Sequence, residues 1–196
     1  MFKDKNMGNQ AIMGGFAACA LAEVLSMLIY FFYMIFSGAL YWGLSRFVFW
    51  LGAWMFILGM LAIAGGYGIR FLAGQDILDA AAAGCAGLYG LLALIHRFAL
   101  YPAWLSKWGM GLLLLGLFAV IAFRAMKKSD MQWCAMSAAA GLWLAFLASL
   151  VQGWFMPSNP LKSSYHFFAG LVTLIFGITI VAAWGVGLLA AKETND

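Results

Sequence analysis

The chain has 196 residues, of which 66% are hydrophobic and only 9% charged, where soluble domains carry roughly 25% charged residues. Together with a mean hydropathy of +0.96, this excludes an ordinary water-soluble domain and predicts a polytopic membrane protein. The formal charge of +4 comes from basic residues scattered singly at segment ends, which points to membrane topology and away from nucleic acid.

Windows of about 19 residues predict an all-α bundle of six transmembrane helices. Its spans fall near residues 11–36, 47–72, 77–98, 104–123, 132–156 and 165–191, and form one integral membrane domain over 1–196. The opening "MFKDKNMGNQAIMGG" is basic and precedes an apolar run, superficially like a signal peptide. The run is too long for that and Glu23 interrupts it, so it reads as a retained first helix.

Glu23 stands in "AACALAEVLSMLIYFFYMIF" (17–36), near mid-depth of the first span by residue count. A carboxylate in the bilayer costs free energy unless it faces protein or water. Cys19, Ser26 and Met27 share its helix face by spacing. One reading makes it a protonatable relay or cation site. The preferred one makes it a structural hydrogen-bonding group toward a neighbouring helix, in this chain or in a partner. No basic residue is expected at its depth, which disfavours an internal salt bridge.

The connection "SGALYWGLSR" leads to the second span, whose Gly-rich end "AGGYGIR" (64–70) is either an unwound turn or a close helix contact. The contact is preferred. After the short link "AGQD", Asp76 and Asp79 stand three residues apart at the start of the third span. They suit a cation site or, preferably, the positive end of the helix dipole. Within this span Ala80 and Gly84, Ala83 and Gly87, and Ala86 and Gly90 repeat at four-residue spacing. Such steps let backbones approach closely and place the helix at the centre of the bundle.

His96 closes the third span and His166 opens the sixth, so six spans put both near the outer interface. A facing pair of imidazoles holds a b-type haem or a metal ion. As "IHRF" and "YHFF", both also read as snorkelling interfacial residues. The fourth span ends in "RAMKKSD", with the positive cluster Arg124, Lys127 and Lys128. Sorting all basic residues by side gives seven with the termini and four opposite, which predicts cytoplasmic N- and C-termini. Cys19, Cys85 and Cys134 are isolated in apolar surroundings and read as small core residues.

Polar groups inside the spans are few: Glu23, Ser26, Ser137, Ser149, Gln152, Thr173 and Thr179. A solute pathway needs polar groups at each depth to offset desolvation. Hydrolase and metalloprotease motifs are lacking, which weighs against an enzyme. The expected function is therefore a structural or anchoring multi-pass subunit of a larger inner-membrane assembly. Its partners would be the lipid bilayer and other subunits or copies of itself, with no nucleic acid. The alternatives are a small transporter or ion- or proton-coupled protein using Glu23, and an electron-transfer anchor binding haem, on His96 and His166, or quinone.

Overall fold

A computed structural model describes residues 5–35, 39–98 and 109–126, together with the helical residues 178, 181, 182 and 185. Among the described residues there are four helices and no strand: α1 (Lys5–Ile35), α2 (Ala39–Gly74), α3 (Ile77–Phe98) and α4 (Met110–Met126). Each packs on its successor in the chain. Residues Trp50–Gly74 of α2 and all of α3 are long and apolar enough to cross a membrane.

The third helix coincides with its predicted span, the second extends beyond its span at both ends, and the first begins before and the fourth ends after theirs. The second begins at Ala39, inside the expected connection "SGALYWGLSR". The segment "ALYWGLSR" contains no proline and only one glycine, so nothing in it stops a helix. The sixth predicted span contributes four described residues, all helical, and the fifth lies outside the described residues.

Glycine sets the spacing of α1 and α2. A Cβ on Gly15 would stand 2.6 Å from the carbonyl oxygen of Gly59, and one on Gly66 would stand 2.5 Å from that of Gly8. The reciprocal contacts of Gly59 and Gly8 are as tight, at 2.8 and 2.9 Å. Gly8 and Gly15 thus face Gly66 and Gly59 in antiparallel order, each pair seven residues apart, or about two turns. The two backbones touch where side chains are absent. Ile12, Phe16 and Cys19 of α1 fill the groove alongside, meeting Met60, Ile63 and Tyr67 of α2, Ala82 and Ala86 of α3, and Leu117, Phe118 and Ile121 of α4 in one buried cluster.

The Gly-rich end of α2 stays helical through Gly74. Gly66 makes the backbone contact, whereas Gly65 and Gly68 face open space. On α3 the small residues divide in the same way. Ala82, Ala86 and Gly90 are buried, and a Cβ on Gly90 would press on Leu61 at 2.9 Å. A Cβ on Gly87 would meet that of Ala64 at an ordinary 3.5 Å, and one on Gly84 would meet nothing within 4 Å. Ala80 and Ala83 are half-buried.

Candidate functional site

Polar side chains gather at two places, one at the start of α3 and one along its second half. The first grows from the turn between α2 and α3. Gln75 adopts a left-handed conformation (φ 53°), and its N–H donates to the Phe71 carbonyl at 2.6 Å, closing α2. Asp76 then starts α3. Its Oδ1 accepts the Leu78 N–H at 2.9 Å, and its carbonyl accepts the N–H groups of Asp79 and Ala80 at 3.0 and 3.3 Å. Asp76 is thus the N-cap, as the dipole argument expects.

Asp79 does something else. It is buried, and its carboxylate lies between two arginines. Arg70 Nε of α2 stands 3.5 Å from Oδ2, and Arg124 Nη2 of α4 stands 2.6 Å from Oδ1. The latter is a charge contact without the angles of a hydrogen bond. Arg124 also donates to Asp76 Oδ2 at 2.8 Å, and Arg70 Nη1 donates to Oδ1 of the buried Asn9 on α1 at 3.1 Å. The buried ring of Tyr67 faces both guanidiniums, 5.7 Å from that of Arg70 and 5.9 Å from that of Arg124.

Two arginines and two aspartates balance in charge. Ions withdrawn from water are tolerated when each meets an opposite charge and further polar contacts. Here those contacts come from all four helices. Arg124, the first residue of the expected positive cluster, has a side chain only 18% exposed and meets Asp76 and Asp79. Lys127 and Lys128 lie outside the described residues. The signal was present, since Arg70, Asp76, Asp79 and Arg124 all fall at one end of the predicted spans with equal and opposite charges.

The second place is a cavity of about 390 Å³ between α1, α2 and α3. The small residues Ala22, Gly52, Ala53 and Ala93 hollow it out, Phe56 and Ile57 wall it, and Glu23, Tyr89, His96 and Arg97 supply its polar groups. Phe56 and Tyr89 pack ring to ring at 5.6 Å. His96 and Arg97 occupy the last turn of α3, where positive charge complements the helix dipole. Beside it an aromatic run, Phe47 to Trp50 to Trp54 to Phe98, links α2 to the end of α3 with centroid separations of 6.3–6.4 Å. Arg97 lines the same cavity as Glu23, brought there through two antiparallel helix contacts that sequence distance does not reveal.

Cys19 is buried in the α1–α2 seam with its thiol directed at the Phe56 carbonyl, 3.8 Å away. Cys85 is half-buried, and a Cβ on Gly116 of α4 would come within 2.9 Å of its sulfur. His166 and Cys134, like Ser137, Ser149, Gln152, Thr173 and Thr179, lie outside the described residues, so the expected histidine pair is represented by His96 alone. Among the described residues no three His, Cys, Asp or Glu side chains form a metal-binding group. Compared with protein-family models, curated proteins and solved structures, the chain matches none.

Proposed function

We propose that the protein is a multi-pass subunit of a larger inner-membrane assembly, structural or anchoring rather than catalytic, with six spans and both termini in the cytoplasm. The carrying observation is the apolar interval between its two polar regions. Asp79 and Tyr89, the first polar residue of α3 to line the cavity, are 10 positions apart, about 15 Å along a helix, which is half of a hydrocarbon core of about 30 Å. The buried residues of α3 in that interval are Ala82 and Ala86, both without polar side chains. Polar groups at the two ends with an apolar middle suit a helix that is held across a membrane more than one that passes a solute.

In this reading the Asp79 cluster sits at the cytoplasmic face, where it locks four helices together. The cavity and the aromatic run then lie toward the outer interface, where Trp and Tyr concentrate. Large apolar side chains such as Leu58, Leu72, Leu88 and Ile95 are at least half exposed and would face lipid or neighbouring subunits. Extraction of the tagged chain from its native membrane in mild detergent, followed by mass spectrometry, tests the reading. A stoichiometric set of different co-purifying chains is the expected result, and a lone chain would overturn it.

A transporter is the second reading, favoured by the position of Glu23 on an open cavity beside His96 and Arg97. It requires that Glu23→Gln abolish transport in a folded, correctly inserted protein.

A further inference from the structure

The cavity between α1, α2 and α3 carries both signs of charge on one apolar hollow. Glu23 approaches from α1, and His96 and Arg97 approach from the last turn of α3. Between them α2 contributes Gly52 and Ala53, which leave room, and Phe56 and Ile57, which make a greasy wall. Its volume of about 390 Å³ falls within the roughly 300–1,000 Å³ typical of small-molecule sites. Trp50, Trp54 and Phe98 beside it form the kind of aromatic band that marks a membrane–water interface.

We propose that this hollow binds the headgroup of a zwitterionic, ethanolamine-type phospholipid, with Arg97 and His96 on the phosphate and Glu23 on the ammonium. The assignment follows from matching charges. Arg presents a donor fork that fits phosphate oxygens, and a carboxyl group accepts hydrogen bonds from a primary ammonium. The glycerol backbone and first methylenes lie along Phe56 and Ile57, gaining apolar contact there. An anionic glycerol phospholipid would engage Arg97 but leave Glu23 without a cation to meet it. A choline headgroup carries its positive charge without an N–H to donate. A neutral quinol would offer neither a phosphate to Arg97 nor an ammonium to Glu23.

The proposal rests on the membrane placement of these helices and not on the subunit reading, so it is tested on the isolated full-length chain. The protein is reconstituted with equal amounts of ethanolamine, glycerol and choline phospholipids carrying identical acyl chains, and retained lipid is identified by native mass spectrometry. The expected result is retention of the ethanolamine lipid about tenfold above the glycerol lipid, the factor of one charged hydrogen bond. Glu23→Gln removes that preference, Arg97→Gln lowers retention of every phospholipid, and Ala93→Leu, which fills the hollow without changing charge, does the same. A wild-type chain that retains all three headgroups equally overturns the proposal, and so does a preference that survives Glu23→Gln. Displacement of the phospholipid by a stoichiometric quinol would also overturn it. The wild-type competition decides the matter even where a variant fails to fold.

Discussion

Replacing Asp79 by asparagine keeps the side-chain volume and removes one charge, which isolates the electrostatic role of this residue. Asp79 is 5% exposed and touches Arg70 and Arg124, whose side chains are 14% and 18% exposed. Removing one partner of a buried ion pair costs about 3–5 kcal/mol, because the remaining charge is stranded. The arginines reach some water, so the lower end, about 3 kcal/mol, is expected for Asp79→Asn. Asp76 is 47% exposed and contacts only Arg124 among the arginines. Asp76→Ala forfeits mainly the cap, about 1 kcal/mol, plus a screened pair of at most about 1 kcal/mol. Arg124→Gln falls between the two, since Asp79 keeps Arg70. Detergent-solubilised variants are unfolded by heat and denaturant with tryptophan fluorescence as the signal. A double-mutant cycle over Asp79 and Arg124 should give a coupling of about 1–3 kcal/mol. If Asp79→Asn proves no more costly than Asp76→Ala, or the coupling is zero, the cluster does not hold the helices together.

The glycine seam gives an internally controlled comparison. Gly15→Ala places a methyl group against backbone at 2.6 Å and should destabilise by about 1–3 kcal/mol, while Gly84→Ala, which meets open space, should be neutral or stabilise by up to about 1 kcal/mol; equal effects on unfolding midpoints would refute the packing argument. Gln75→Gly relieves a left-handed residue and should stabilise by up to about 1 kcal/mol, readable in the same assay. In a chain with Cys85→Ala and Cys134→Ala, Cys19 should resist a water-soluble maleimide until denaturant is added, because it is fully buried; rapid labelling of the folded protein would contradict that burial.

Helical class and the bounds of α3 were readable from sequence because they depend on local quantities: apolar run length, and a Gly-Gln-Asp link with a capping carboxylate. Asp76 belongs to that local logic. Asp79 does not, although it stands only three residues on. Its role depends on Arg70 and Arg124, 9 residues before and 45 after it in the chain, and on the angle at which α4 meets α3. The small-residue repeat of α3 was visible too, but spacing alone could not separate Gly90, pressed against Leu61, from Gly84, which faces nothing. The tighter seam lies instead in Gly8, Gly15, Gly59 and Gly66, where a seven-residue spacing on each of two helices becomes meaningful only when they align.

By itself, then, the sequence determined that the chain forms apolar helices with charges at their ends, since desolvation of polar groups acts on each segment separately. Tertiary structure decided which charges meet. It buried Asp79 between two arginines and brought Glu23 into one cavity with His96 and Arg97. The physical reason is that pairing energy depends on separations of a few ångströms, and antiparallel helix packing sets those distances between residues that the chain holds far apart.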